Sequence, residues 1–168
     1  MKKTAIIILC VVFVVGFIGN AAAKDLQRRL GVGFNSQLGV GDYGVDSLSI
    51  KYYTDSKLCL QGVFGFVMSD PVDMINIGGK ALYTVKEEQN MNVYAGGGIM
   101  IANVDPDGAD SDTAFLLSGI LGVEYFFSGL PNLGFSTELG LSFLNYDEYD
   151  AVGTTADSFL SAGIHYYF

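Results

Sequence analysis

Apolar residues alternate with small or polar residues along almost the whole of this chain, and this alternation constrains the fold more than any other feature. Side chains of a β-strand point alternately to opposite faces, so a period of two residues predicts strands. Eight such segments follow one another, and none has a helical pattern. The predicted strands are Arg28 to Gln37, Val45 to Thr54, Lys57 to Val67, Met74 to Lys86, Met91 to Asn103, Thr113 to Phe127, Leu133 to Tyr146 and Ala156 to Phe168.

The two faces of each predicted strand differ in chemistry. In the seventh segment Leu139, Leu141 and Phe143 share one face, whereas Glu138 and Gly140 lie on the other. A water-soluble barrel buries its apolar face and shows the polar face to solvent. Here the charged face also carries many glycines, which is typical of a narrow barrel lumen. The apolar faces are therefore predicted to contact lipid.

The connections between the predicted strands alternate between short and long. The short ones are 55–56, 87–90 and 128–132, and the longer, more polar ones are 38–44, 68–73, 104–112 and 147–155. Short turns at one end and longer loops at the other are typical of transmembrane barrels. Because unpaired backbone groups are costly in hydrocarbon, the first and last strands must also pair. The sequence predicts an all-β fold, an eight-stranded antiparallel up-and-down transmembrane β-barrel.

The N-terminal segment has the features of a secretory signal peptide. Lys2 and Lys3 precede an apolar run from Ala5 to Ile18, and small residues follow up to Ala23. The run is shorter than the roughly 20 apolar residues of a membrane-spanning helix. We expect residues 1–23 to be the signal peptide and residues 24–168 to be the barrel domain. Cys59 is then the single cysteine of the barrel, so no internal disulfide is expected.

The acidic residues are concentrated at the end of the barrel that carries the longer loops. Twelve of the 18 acidic residues lie in or beside those loops, which contain no lysine or arginine. Such a surface should repel nucleic acid and attract cations or basic partners. The twelve are Asp42, Asp46, Asp70, Asp73, Asp105, Asp107, Asp110, Asp112, Asp147, Glu148, Asp150 and Asp157.

Four of these aspartates invite a calcium interpretation. Asp105, Asp107, Asp110 and Asp112 supply clustered carboxylate oxygens, the ligands that calcium prefers. The stretch lacks the full spacing and the distal glutamate of an EF-hand loop, so a solvated, flexible loop is the preferred interpretation. These four are weak metal candidates, and cation bridging to lipopolysaccharide phosphates is the corresponding hypothesis.

A second set of charged side chains is predicted to face the lumen. An eight-stranded barrel is only wide enough to be filled by side chains, and buried opposite charges must pair to offset their desolvation. We expect a salt-bridged plug in the lumen, and an ion-conducting pore lined by the same residues is the alternative. The predicted lumen network comprises Arg29, Lys51, Lys80, Glu124, Glu138 and His165.

The last strand carries a motif that resembles the C-terminal β-signal of Gram-negative outer-membrane proteins. Polar Ser161 is followed by Gly163, and the aromatic residues Tyr166 and Phe168 come at the third and fifth places after that glycine. The whole layout is similar to small barrels of the OmpA and OmpX type. The resemblance implies residence in the outer membrane among lipids and lipopolysaccharide. It also implies handling by periplasmic chaperones and recognition of these four residues by the barrel-assembly machinery.

The chain contains few residues that could support catalysis. The chain contains one histidine, His165, which is predicted to lie inside the lumen and far from an outer-leaflet substrate. A serine hydrolase would need that histidine beside a serine and a carboxylate, and one histidine with one cysteine does not make a metal site. We therefore expect no enzyme activity and no cofactor. The leading interpretation is a structural or surface-interaction protein whose loops contact a host or surface ligand; the alternatives are a narrow channel and a lipid A-modifying enzyme.

Overall fold

A computed structural model of the 168-residue chain describes residues 25–36, 46–70, 72–106, 111–146, 149–154 and 161–168. No helix within these ranges is long and apolar enough to cross a bilayer. The same ranges form nine β-strands. They are β1 (Leu30–Asn35), β2 (Ser47–Tyr53), β3 (Leu58–Ser69), β4 (Val72–Glu87), β5 (Met91–Pro106), β6 (Asp112–Phe127), β7 (Leu130–Tyr146), β8 (Tyr149–Thr154) and β9 (Ser161–Tyr167).

The strands form one antiparallel sheet that closes on itself. Strands β1 to β7 pair with their neighbours in sequence, and β1 also pairs with β9. Both β8 and β9 pair with β7, β8 with residues 141–146 and β9 with residues 133–138. Together β8 and β9 therefore occupy the eighth position of the barrel. The predicted closed, eight-stranded, up-and-down barrel is confirmed.

The two ends of the barrel are distinguished by their connections. The turn end carries the connections 54–57, 88–90 and 128–129 together with Asp25 and Phe168, and the opposite end, the loop end, is where β3 meets β4 and β5 meets β6. Near the turn end the Asp55 carboxylate accepts hydrogen bonds from the backbone N–H groups of Leu58 and Lys57, at 2.9 and 2.7 Å. Both bonds lower the pKa of Asp55, and the bond from Leu58 has the larger effect.

At the loop end the strands are longer than the sequence predicted. The stretch 68–73 is almost entirely strand, because Met68 pairs with Asp73 and Ser69 with Val72. The stretch 147–155 was wrongly interpreted as a long loop, since β8 already begins at Tyr149, opposite Tyr146. In the stretch 104–112 only residues 107–111 connect the strands. Polar composition misled the prediction because the backbone, and not the side chains, makes the bonds of a β-ladder.

The outward face is the apolar one. In β6 the outward residues Phe115, Leu117 and Leu121 are exposed and alternate with buried Leu116 and Ile120. The same pattern runs around the other strands, so large apolar side chains cover the outside of the barrel. A monomeric soluble protein rarely exposes a continuous apolar surface of this extent. The surface instead matches the lipid-facing band of a transmembrane barrel.

Residues 25–29 form a cap at the turn end. Leu26 is only 2% exposed and belongs to the same buried cluster as Tyr53, Phe126 and Tyr167. The Arg29 N–H bonds the Leu26 carbonyl at 3.0 Å, which closes a tight turn. Arg28 adopts a φ of 59° in this turn, a left-handed conformation that a side chain with a Cβ rarely takes.

Candidate functional site: the interior of the barrel

The interior of the barrel contains the four charged residues with almost no exposure to solvent. Lys51 and Glu124 are 1% and 0% exposed, and Lys80 and Glu138 are 4% and 1% exposed. Each lies on the inward face of its strand because its neighbours in sequence point to lipid. Desolvation of four charges is costly, so the arrangement of their partners decides whether this interior is stable.

Glu124 is the centre of a first cluster, near the turn end. Its Oε1 accepts hydrogen bonds from Lys51 Nζ at 3.0 Å and from the Tyr167 hydroxyl at 2.7 Å. Its Oε2 accepts a third bond, from the Tyr53 hydroxyl at 3.0 Å. One cation and two hydroxyl groups thus surround a single carboxylate. The cluster joins strands β2, β6 and β9 across the lumen.

Glu138 is the centre of a second cluster. Its Oε2 lies 2.6 Å from Lys80 Nζ, and its Oε1 accepts a hydrogen bond from the Tyr94 hydroxyl at 2.9 Å. Lys80 also donates to the side-chain oxygen of Asn35 at 2.9 Å. The two clusters touch, since Lys51 Nζ lies 5.6 Å from the centre of the Tyr94 ring. Two ion-paired clusters therefore lie next to each other in the interior.

Glycines on the inward face make room for the tyrosines. A Cβ atom on Gly122 would lie 2.5 Å from the Tyr94 ring, and one on Gly31 would lie 2.7 Å from the Tyr167 ring. These distances are far below van der Waals contact, so a side chain at either position would displace a ring. The inward glycines are thus required by the large hydroxyl-bearing side chains that reach across to the carboxylates.

His165 lies in the interior but contacts no carboxylate. Its Nε2 is 2.8 Å from the hydroxyl of Ser49, which also accepts a hydrogen bond from Gln61 at 2.8 Å. A serine and a histidine at this distance resemble part of a hydrolase site. Both residues are fully buried, and His165 Nδ1 has no hydrogen-bond partner within the described residues. Among the described residues no carboxylate bonds the ring, and Ser49 is buried in this conformation.

The loop-end half of the interior contains a buried apolar cluster next to polar side chains such as Asn76 and Ser118. Met100 and Leu116 are buried among the inward side chains of β5 and β6, and Leu144 of β7 packs with them. Sequence reasoning missed this region, although Leu116 and Ile120 have the same parity as Ser118 and Glu124 in β6. The apolar residues at even-numbered positions of β6 were the signal that could have revealed this buried cluster. The interior thus contains ion pairs near the turn end and an apolar cluster nearer the loop end.

Arg29 was wrongly assigned to the interior network. It lies at the rim of the turn end with partial exposure, and its guanidinium group bonds the main-chain oxygens of Tyr167 and Phe168. It also donates to the side chain of Asn132 at 3.1 Å. The chain leaves the β-ladder before Leu30, so the inward parity predicted for Arg29 no longer applies there.

The other residues singled out in the sequence lie elsewhere. Asp107 and Asp110 fall outside the described residues. Asp105 is exposed near the loop end, and Asp112 is partly exposed there. Asp105 faces Asp73 across β4 and β5. In the described ranges no group of three or more histidine, cysteine or acidic side chains is placed to hold a metal ion.

The residues of the C-terminal motif divide between the two faces of β9. Ser161 is buried in the interior, and Gly163 follows on the same face between Asn35 and Ser136. Tyr166 and Phe168 point outward, and Phe168 is 71% exposed. The segment 1–23, predicted as a signal peptide, lies outside the described residues.

Comparison with solved structures places this geometry in a known class. The N-terminal β-barrel domain of Pseudomonas aeruginosa OprF superposes with a TM-score of 0.61 at 14% identity, over 84% of this chain and 98% of that chain. The chain has the fold of the small outer-membrane β-barrels. Neisserial surface protein A (NspA) is also similar, with a TM-score of 0.51 at 16% identity, over 83% of this chain and 94% of that one.

A third structure shows a lower similarity. Ail, the attachment invasion locus protein of Yersinia pestis, superposes with a TM-score of 0.40 at 18% identity, over 83% of this chain and 95% of that chain. A scan against protein-family models and a search of the curated proteins found no match. The barrel is thus related to known structures through its fold alone.

Proposed function

We propose that this protein is an integral outer-membrane barrel with a closed lumen, which serves as a scaffold that presents its loop end at the cell surface. The observation that carries the proposal is the pair of buried ion pairs, Lys51 with Glu124 and Lys80 with Glu138. Each carboxylate in these pairs also accepts at least one tyrosine hydroxyl bond. A charged interior of this kind is filled rather than open, so ions have no continuous aqueous path through it.

Charge separation between the two ends supports a surface role for the loop end. Within the described residues the loop end exposes several aspartates and no basic residue, whereas Lys57 and Lys86 lie at the turn end. In an outer-membrane orientation with the turns in the periplasm, the acidic end would face outward. A basic or cation-bridged surface ligand, including lipopolysaccharide bridged by divalent cations, fits this end of the barrel. The exposed aspartates of the loop end are Asp46, Asp70, Asp73, Asp105 and Asp150.

Planar-bilayer recording tests the closed lumen. The purified barrel should give no steady conductance at moderate voltage, and the exposed-site control Glu87→Ala should behave in the same way. A steady wild-type conductance that changes in Glu138→Ala would contradict the proposal and would support the alternative, a narrow channel. Recording in symmetric and asymmetric salt would then show whether that channel selects cations.

A deletion strain tests the surface role. Loss of the gene should reduce adhesion or serum resistance, and the wild-type gene should restore it. A variant in which Asp70, Asp73, Asp105 and Asp150 are changed to asparagine should reach the membrane but fail to restore adhesion or resistance. If that variant restores both fully, the acidic loop end is not the interacting surface. Permeability assays on the same strains separate this role from a channel function.

A further inference from the structure

Side-chain contacts supplement the strand pair that closes the barrel, called the seam here. In the described residues β1 and β9 share five residue pairs, Gly31 to Asn35 with Gly163 to Tyr167. Each ladder pair contributes backbone hydrogen bonds that cannot be replaced by water in a bilayer. Further contacts between β1 and β9 therefore add to the closure of the barrel.

Arg29 holds the turn end of this seam. Its Nη2 donates to the Tyr167 oxygen at 2.8 Å and its Nε to the Phe168 oxygen at 3.1 Å. The Phe168 N–H returns a bond to the Leu30 oxygen at 2.9 Å. The same Nη2 also donates to the side-chain oxygen of Asn132, near the start of β7. One guanidinium group thus ties together β1, β9 and the start of β7.

Ser36 lies at the other end of the described part of the seam. Its hydroxyl accepts a hydrogen bond from the Ala162 N–H at 2.7 Å and contacts the Ala162 oxygen at 3.1 Å. The Ser36 N–H also bonds the Ala162 oxygen at 2.8 Å. A side chain that bonds both main-chain groups of the opposite residue takes over the role of a ladder pair. The seam is thus bracketed by side-chain contacts to the backbone of the last strand.

From these contacts we infer that Arg29 and Ser36 are two clamps that keep the closing seam shut. The turn-end clamp is also coupled to the lumen. Tyr167 accepts the Arg29 bond through its main-chain oxygen and donates to Glu124 through its hydroxyl. Release of Arg29 would loosen the residue that completes the Glu124 cluster.

Hydrogen exchange of the folded barrel in lipid nanodiscs tests the clamps. The seam amides of Val32 and Tyr166, which face each other, should exchange about tenfold faster in Arg29→Ala and in Ser36→Ala. The amides of Met100 and Leu116, opposite each other in β5 and β6, should be unchanged. Arg28→Ala is the matched control, because it removes the neighbouring arginine and leaves both clamps intact.

Conservative variants separate clamp geometry from charge and bulk. Arg29→Lys keeps the charge but loses the planar guanidinium group that bonds two main-chain oxygens. It should therefore accelerate exchange of the seam amides nearly as much as Arg29→Ala. Ser36→Thr keeps the hydroxyl and should preserve slow exchange. Equal acceleration in the seam and in the β5–β6 ladder, or no acceleration in the seam, would overturn the inference.

A disulfide across the seam provides the decisive comparison. Phe34 and Ile164 are paired and both point outward, and a hydrogen-bonded antiparallel pair places its Cα atoms about 5.5 Å apart, within disulfide range. In a Cys10→Ala/Cys59→Ala background, oxidised Phe34→Cys/Ile164→Cys should return seam exchange in Arg29→Ala to the slow wild-type rate. If Arg29→Ala does not fold, the same disulfide is introduced into the Ser36→Ala variant. Exchange of the seam amides should then be slow in the oxidised protein and fast after the disulfide is reduced. Fast exchange despite the closed disulfide would contradict the clamp role.

Discussion

The Lys80 ammonium group lies 2.6 Å from Glu138 Oε2 in the barrel interior, and the exposed Lys86 lies at the same distance from Glu88 Oε1. The interior pair is at most 1% exposed in its side chains, whereas the other pair is 68% and 48% exposed. The geometry of the two contacts is the same, but the surroundings differ. The comparison isolates what burial does to an ion pair.

Breaking the interior pair should be far more costly than breaking the exposed one. Glu138→Leu leaves the Lys80 charge buried without its counter-ion and should reduce the free energy of unfolding by about 3–5 kcal/mol. Lys86→Met should change it by less than about 1 kcal/mol. Equilibrium unfolding by urea in phospholipid vesicles measures both. In the double variant Lys80→Met/Glu138→Leu the loss should be much smaller than in Glu138→Leu; additive losses would show that the pair is not coupled.

The tyrosine hydroxyls should stabilise the barrel only where they reach a carboxylate. Tyr167→Phe removes the bond to Glu124 and should reduce the free energy of unfolding by about 1.5–3 kcal/mol, the range for a hydrogen bond to a charged group. Tyr166→Phe, one residue earlier and facing lipid, is the control and should be nearly neutral. The same urea titration applies. Equal losses in the two variants would assign the effect to the strand rather than to the hydroxyl.

The inward glycines should be intolerant of a methyl group, and the outward ones tolerant. Gly122→Ala would place a Cβ 2.5 Å from the Tyr94 ring and push its hydroxyl away from Glu138, at a cost of about 1–3 kcal/mol. Gly119→Ala, on the same strand, places its Cβ in open space on the outer face and should be tolerated. Thermal unfolding in detergent compares them. A tolerated Gly122→Ala would mean that Tyr94 is not tightly held.

The turn between β2 and β3 should respond to acid through Asp55. Its pKa is lowered by the backbone N–H bonds of Leu58 and Lys57 from the ordinary value of 3.8. The carboxylate therefore stabilises the turn fully above that ordinary value, and the contribution is lost as the pH falls through the lowered pKa. Asp55→Asn should remove this part of the acid dependence. Stability measured between about pH 2 and 6 should fall less steeply in the variant; identical slopes would exclude the contribution.

The barrel and its charged interior residues follow from residue parity, but the partners of those residues do not. Alternation places Lys51, Glu124 and Glu138 on inward faces, because a period of two requires it. It does not reveal that Tyr53 and Tyr94 reach those carboxylates, since the reach of a long side chain across the lumen depends on strand stagger. Parity also failed for Arg29, whose side chain lies beyond the last ladder pair and turns to the backbone of β9.

The loop end shows a second limit of prediction from the sequence. Polar segments were interpreted as loops, yet β3, β4 and β8 continue through them, because backbone pairing does not depend on side-chain chemistry. The reverse error occurred inside the barrel, where Leu116 and Met100 belong to an apolar cluster on faces that were predicted to be small and polar. In both cases local composition was less informative than the register of the neighbouring strand.

The sequence by itself determined the eight-position barrel, the lipid-facing side of its strands and the inward placement of Lys51, Lys80, Glu124 and Glu138, because these follow from a local period of two. Only the tertiary structure decided which charges meet. Lys51 and Glu124 are 73 positions apart in the chain, and Lys80 and Glu138 are 58 apart. Contacts over such separations depend on barrel closure and stagger, and those are properties of the whole sheet.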